Sequence, residues 1–403
     1  MRYYLIAGEA SGDLHGSNLI RGLKAEDPDA EFRFWGGDLM SRACLPDVRS
    51  QGSIDSGLSP LGGAHPAGTD TGLVRHYREG AVMGLTDVLA KAGKLLGNLS
   101  FCKKDILGWK PDVVILIDYP GFNLKIAKFC HSKGIKVFYY IAPKTWASRE
   151  GRNRKLKAWV DKLFIVFPFE IPYFTRKGIP FEYCGNPLLD AVDNHNYVRP
   201  EEGKYIAVLA GSRKGEIGRM MPVCVEVMER MHSMPAYSGY RFVIAGAPAR
   251  TEEDYRPFLK PGMEKYVKIV FGRTYDVLKF ADAAVINSGT ASLEAALIAV
   301  PQVVCWSTSP LTAYVARHVL KVMEHIRFIS LGNLCLGRSA FRELVQEDFS
   351  PEKVTEEVAR LVSDAAYRSA MLESYSEIRK SLGQSGASRS IAASMIRSIA
   401  GKQ

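Results

Sequence analysis

Several short stretches of the sequence carry side chains suited to acid–base and phosphate chemistry. Asp118 follows the apolar run Val113-Val114-Ile115-Leu116-Ile117 and precedes Tyr119-Pro120-Gly121-Phe122-Asn123. A carboxylate at the carboxyl end of a buried parallel strand lies where open α/β sheets bind ligands, and apolar walls raise its pKa toward that of a general base. The same position also suits an aspartate that merely caps its own loop. Glu9 and His15, in and after the loop Gly8-Glu9-Ala10-Ser11-Gly12-Asp13, are further titratable candidates on the same expected edge. A lone histidine after such a loop is more often a structural hydrogen-bonding group.

A second set of residues suits phosphate. Gly211-Ser212-Arg213 follows the strand-like run Tyr205 to Ala210. At a helix N-terminus its backbone N–H groups would form an anion cradle, with Arg213 adding a bidentate cation; the alternative is an ordinary strand-to-helix turn. Asn287-Ser288-Gly289-Thr290-Ala291-Ser292-Leu293-Glu294 repeats the device after Ala284-Val285-Ile286. Ser288, Gly289, Thr290 and Ala291 suit a helix cap and phosphate contact, and Glu294, one turn in, can accept from two vicinal ribose hydroxyls or serve only as a cap. Neither loop is a dinucleotide Gly-x-Gly-x-x-Gly or a Walker sequence, which weakens NAD and ATP readings, while the two loops taken together favour a nucleotide diphosphate. The segment Tyr140 to Arg149, with Trp146 at its centre, mixes aromatic, basic and polar groups fit for an acceptor pocket. The basic run Arg149, Arg152, Arg154, Lys155 and Lys157 reads equally as a solvated helix face.

These loops need strands to carry them. Strand-like runs fall at 3–7, 31–35, 113–117, 135–140, 163–167 and 181–184, then at 205–210, 241–245, 267–270, 284–287 and 301–305. Helical patterns alternate with them, as in parallel sheets built from βαβ units. The strand, glycine loop and helix start occur once at residue 3 and again at residue 205, so the expected fold class is α/β with two doubly wound parallel-sheet domains facing a central cleft. Its 403 residues are too many for one ordinary core. The expected boundaries are 1–186, 187–382 and a terminal helix at 383–403 that docks back on the first domain or on a partner chain. Residues 50–72, rich in Gly, Ser, Pro and Asp, read as a surface insertion.

Composition narrows the class. Hydrophobic residues make up 47% and charged residues 24%, as in a globular enzyme rather than a disordered or fibrous chain. No apolar run approaches the roughly 20 residues that span a bilayer, and residue 1 leads straight into a strand, so a cytoplasmic protein is expected. The 7 cysteines include no Cys-x-x-Cys pair, which argues against a zinc site or a disulfide framework. A formal charge of +10 implies an anionic partner, whether phosphorylated substrate, membrane surface or nucleic acid. Leu73, Val82, Met83, Leu85, Leu89, Leu95 and Leu96 are interleaved with Arg75, Arg78, Lys91, Lys94, Lys103 and Lys104 across 73–109, as in an interfacial segment or a helix packed on the first sheet.

Gly8-Glu9-Ala10-Ser11-Gly12-Asp13, Ile117 to Asn123, Pro168-Phe169-Glu170, Gly185-Asn186-Pro187, Gly211-Ser212-Arg213 and Ser288-Gly289-Thr290-Ala291 together resemble the lipid-A-disaccharide synthase family, in order along nearly the whole chain. The resemblance implies a GT-B glycosyltransferase that inverts at the sugar and uses no metal or other cofactor. In that family UDP-2,3-diacylglucosamine donates its sugar to the 6-hydroxyl of 2,3-diacylglucosamine 1-phosphate, releasing UDP and a β-1,6 disaccharide. Carried onto this chain, Asp118 matches the catalytic aspartate and Arg213 a residue that neutralises the diphosphate. Gly211, Ser212, Ser288, Gly289, Thr290, Ala291, Glu294 and Asn333 fall on the donor side. Glu9, Ser11, Gly12, Asp13, His15 and Trp146 fall on the acceptor side. The family is peripheral on the cytoplasmic face of the inner membrane, binds no nucleic acid, and includes dimers that exchange C-terminal elements. The chain departs from the family pattern at Ala210, Ser148 and Ser339, where Pro, Trp and Glu are usual. Two other classes share features with this chain: a UDP-sugar 2-epimerase, which needs no acceptor, and a non-catalytic nucleotide-sugar or nucleic-acid binding protein.

Overall fold

All of the strands expected from sequence belong to two parallel sheets in the computed structural model, which describes residues 1–45, 71–80, 88–308 and 327–401. Most of the 50–72 insertion therefore lies outside the described residues, as do Val82, Met83 and Leu85.

The first sheet contains β1 (Arg2–Ala7), β2 (Glu31–Gly36), β3 (Leu73–His76), β4 (Val113–Ile117), β5 (Val137–Tyr140), β6 (Lys162–Ile165) and β7 (Glu182–Tyr183), in the order β3-β2-β1-β4-β5-β6-β7. The second contains β8 (Tyr205–Leu209), β9 (Arg241–Gly246), β10 (Val267–Phe271), β11 (Ala283–Asn287), β12 (Gln302–Trp306) and β13 (Glu343–Val345), in the order β10-β9-β8-β11-β12-β13. Both are doubly wound: the chain runs outward from the first strand of each sheet, returns to the centre, and then runs out the other way.

Strands buried on both faces explain the unbroken apolar runs. Val113 to Ile117 are all fully buried. Alternate residues Tyr4, Ile6, Val114, Leu116, Val137 and Tyr139 pack on Leu99, Cys102 and Ile106 of the Val88–Trp109 helix and on Phe122, Ile126 and Cys130 of the Pro120–Ser132 helix. On the opposite face Ile117 meets Gly12 and Gly16 of the Ala10–Glu26 helix.

Contacts divide the chain into a unit of residues 1–190 with 384–403 and a unit of residues 191–383. The Ala387–Ile399 helix thus belongs to the first unit although the second intervenes in the chain. It lies against the Ala10–Glu26 helix so closely that a Cβ on Gly22 would stand 2.8 Å from the Ser388 carbonyl oxygen. Ile391 and Met395 are fully buried there, each contributing roughly 1.5–3 kcal/mol of apolar burial. Asp190 caps this helix, accepting from the N–H groups of Gly386 and, at 2.8 Å, Ser388.

Candidate active-site edges

In the first unit the topology switches between β1 and β4, and ligands of open α/β sheets bind outside the carboxyl ends of such strands. Asp118 and Tyr119 leave β4 in left-handed backbone conformations, φ 42° and 45°. Two consecutive non-glycine residues of this kind are strained and persist only where their surroundings over-determine them. Those surroundings are visible. The Asp118 N–H donates to Tyr140 O at 3.1 Å, while its carbonyl accepts from Asn123 Nδ2 at 2.8 Å and from the Tyr139 hydroxyl at 2.6 Å. Asn123 is completely buried and also donates to Ile117 O at 3.2 Å. Gly8 completes the fit, because a Cβ there would stand 2.4 Å from the Tyr119 ring. Ile141, just past β5, is left-handed as well, at φ 64°.

The Asp118 carboxyl is half-buried, and desolvation raises its pKa. Lys144 and Arg152 oppose that rise, and the exposed Glu9 adds to it. Trp146 follows Lys144; its indole N–H donates to Glu170 Oε1 at 3.3 Å and its ring stands edge-on to Phe169. Glu170 also accepts from the Val166 and Phe167 N–H groups, and burial pushes its pKa up to about 7.

Two residues expected on the acceptor side are buried among structural partners. Asp13 is buried, with both oxygens accepting from the N–H groups of Gly37, Leu39 and Met40, so it caps the Asp38–Cys44 helix. His15 is buried with its ring edge-on to Tyr140, and desolvation lowers its pKa to about 4, leaving it neutral. Gly12, whose Cβ would lie 3.1 Å from Ala7 Cβ, lets the helix sit down on β1. Ser11 is half-buried in the first turn.

In the second unit the switch lies between β8 and β11. Gly211, at φ 103°, leaves β8 where a Cβ would stand 2.7 Å from both Asn287 Nδ2 and Glu216 Oε2. The expected phosphate cradle has an internal occupant. Glu216 Oε2 accepts from the N–H groups of Ser212 and Arg213 at 3.0 and 3.2 Å, and Oε1 from Arg213 Nη1 at 2.9 Å. Sequence reasoning passed over Glu216, although an acid three residues after a helix cap is the capping-box signal. The Arg213 side chain keeps 62% of its surface exposed.

After β11, the Ser288 N–H donates to Cys305 O at 2.8 Å and its hydroxyl to Ile329 O at 3.3 Å. Gly289 then caps the Thr290–Ile298 helix, with Thr290 and Ala291 half-buried in its first turn. Glu294 Oε1 accepts from the Tyr275 hydroxyl at 2.8 Å, and desolvation raises its pKa. Asn333, expected on the donor side, stands in the interior. It is completely buried; its Nδ2 donates to Phe341 O and Glu343 Oε1, and its Oδ1 accepts from the Ala340 and Phe341 N–H groups. Among the described residues no three His, Cys, Asp or Glu side chains gather into a metal-binding set, and no helix is long and apolar enough to cross a membrane.

The model of the family Lipid-A-disaccharide synthetase matches residues 61–396. Lipid-A-disaccharide synthase of Trichlorobacter lovleyi is 34% identical over 97% of this chain and 96% of its own length. The chain belongs to the lipid-A-disaccharide synthetase family. Members from Geobacter metallireducens and Myxococcus xanthus are 33% and 34% identical, over 100% and 98% of the chain and 98% and 97% of their own lengths. The chain is thus an enzyme of lipid A biosynthesis, a glycosyltransferase. Solved structures agree on the fold. UDP-GlcNAc 2-epimerase from Neisseria meningitidis superposes with a TM-score of 0.64 at 13% identity, covering 98% of this chain and 100% of that one. The glycotransferase of kitacinnamycin gives 0.58 at 16%, covering 99% of each. At such identities the likeness is one of GT-B architecture, so the epimerases do not outweigh the family's full-length sequence match.

Proposed function

We propose that the chain transfers the sugar of UDP-2,3-diacylglucosamine to the 6-hydroxyl of 2,3-diacylglucosamine 1-phosphate, with inversion and loss of UDP, and that Asp118 is the base. The observation that carries this reading is the half-buried Asp118 carboxyl at the switch point, on a strained backbone pinned by Asn123, Tyr139 and Tyr140. Its raised proton affinity suits it to take the hydroxyl proton as the new C–O bond forms. Charge accumulates on the departing diphosphate, and a cation and a helix N-terminus stabilise it more in the transition state than in the ground state. We assign these tasks to Arg213, with Glu216 bracing its guanidinium, and to Ser288, Gly289, Thr290 and Ala291. Glu294, with one oxygen on Tyr275, is assigned to the ribose. Glu9, Ser11, Gly12 and Trp146 remain on the acceptor side.

Both substrates carry acyl chains, so the enzyme works at the cytoplasmic surface of the inner membrane. The Val88–Trp109 helix supports this reading: Leu96, Phe101 and Leu107 are 63%, 45% and 44% exposed, with Lys104 among them. Serine at these three positions is expected to release the protein from vesicles. The Ala387–Ile399 helix is the element that a dimer formed by C-terminal exchange would swap. The deciding assay incubates the protein with UDP-2,3-diacylglucosamine, with and without the 1-phosphate acceptor, and follows UDP and disaccharide. Acceptor-dependent UDP release is expected; turnover of the donor with no acceptor would reverse the assignment in favour of an epimerase.

A further inference from the structure

The segment after β5 holds more positive charge than the fold uses. Glu150, the acid within it, is paired with Lys177. Lys144, Arg149 and Arg152 form no side-chain hydrogen bond or ion pair among the described residues. Tight turns gather them. The Ala147 and Ser148 N–H groups donate to Lys144 O at 3.1 and 3.2 Å, and the Arg152 N–H to Arg149 O at 3.0 Å. Arg149 is held in a left-handed conformation, φ 55°. Two of the cations adjoin the base, and the third adjoins one of those two. Lys144 and Arg152 act on the Asp118 carboxyl, and Arg149 repels Arg152, whose own proton affinity is lowered by desolvation and by that repulsion. Arg152 and Arg154 also open the Arg152–Trp159 helix, where positive charge opposes the helix dipole. Asp118 offsets part of this charge, but with Glu150 paired to Lys177 the exposed face of the segment keeps an excess of positive charge that an external anion would neutralise.

We propose that Lys144, Arg149 and Arg152 form the subsite for the phosphate monoester of the acceptor, placing that phosphate beside Asp118. The inference rests on the functional reading above. It also couples binding to chemistry: a phosphate that neutralises these cations removes the influence that lowers the proton affinity of Asp118, so the acceptor strengthens its own base. A membrane phospholipid offers the same phosphate chemistry, and the test separates the two sources.

The experiment compares kcat/KM for 2,3-diacylglucosamine 1-phosphate and for its dephosphorylated counterpart in neutral detergent micelles, using the unsubstituted chain, R149Q, R152Q and R152K. Matching thermal melts establish that each variant is folded. The unsubstituted chain should prefer the phosphorylated acceptor, and each glutamine variant should reduce that preference by about 10- to 100-fold, the scale of a lost charge-assisted hydrogen bond. R152K should retain most of it. A preference that is absent at the outset, or that survives both glutamine substitutions, overturns the subsite. So does a pattern in which only sedimentation with anionic phospholipid vesicles changes, which assigns the cations to the lipid surface. R213Q runs in parallel: if it leaves the donor KM unaltered, or if the unsubstituted chain releases no UDP, the functional reading fails rather than the subsite alone.

Discussion

Replacing Asp118 by asparagine should move activity and stability in opposite directions. Asparagine keeps the size of the side chain and tolerates the left-handed backbone at φ 42°, so the hydrogen bonds from Asn123 and Tyr139 to the carbonyl survive. What disappears is a proton acceptor. Loss of a positioned general base lowers turnover by about 10²–10⁴, or roughly 2.7–5.5 kcal/mol of transition-state stabilisation. Stability responds to the desolvation that raises the pKa of this carboxyl. At pH values below the unfolded carboxyl pKa both states are protonated and the position is neutral in effect. As pH rises toward and through the raised native pKa, the folded state must hold a charge that the unfolded chain solvates better, and stability falls. Asp118→Asn should therefore melt with the native protein at acid pH and above it at neutral pH. Initial rates of UDP release at saturating acceptor, with melts across the same pH range, report both quantities. A folded variant retaining more than about a tenth of native turnover would refute the base assignment. A neutral-pH melting temperature that fell would refute the burial argument.

Gly8→Ala should drive a methyl group into the Tyr119 ring, costing about 1–3 kcal/mol in urea denaturation and lowering turnover by displacing the neighbouring Asp118. Asn333→Ala should lose about 2–3 kcal/mol, because Ala340, Phe341 and Glu343 each lose a buried partner, while the donor KM of the folded fraction stays near native. Glu170 should make stability fall with rising pH. Its native pKa of about 7 against 4.5 for the free side chain means that the folded state keeps a proton the unfolded chain has lost. The loss between those values amounts to at most about 3 kcal/mol, and Glu170→Gln should flatten the dependence in urea titrations at pH 5 and pH 7.5.

The sequence carried the architecture because most of its central strands are two-sided and so read as apolar runs: Val113 to Ile117 and Ala283 to Ile286 are solidly buried. It did not disclose β3 and β13. Both are short edge strands, Leu-Val-Arg-His and Glu-Leu-Val, whose pairing depends on a single neighbour and leaves no periodic trace. Leu73 to His76, which falls within the stretch considered interfacial, instead pairs with β2. The site residues divide on the same physical line. Asp118, Gly211 and Glu294 could be placed in the fold because local order, strand then loop then helix, determines where they stand. Asp13 and Asn333 could not, since the groups they bind, at Gly37 to Met40 and at Ala340 to Glu343, are defined only by the folded chain.

The Ala387–Ile399 helix has a consequence in time. During synthesis, the strands carrying Asp118 emerge long before the helix that covers Gly22, and nearly two hundred residues of the second unit are made in between. At about 5–20 residues per second, that face of the Ala10–Glu26 helix waits roughly 10–40 s for its cover. Until Gly386 and Ser388 arrive, the Asp190 carboxylate lacks the two N–H groups it caps. The first unit, first to begin, is thus the last to be finished, and a chain interrupted within the second unit is left with an open apolar seam.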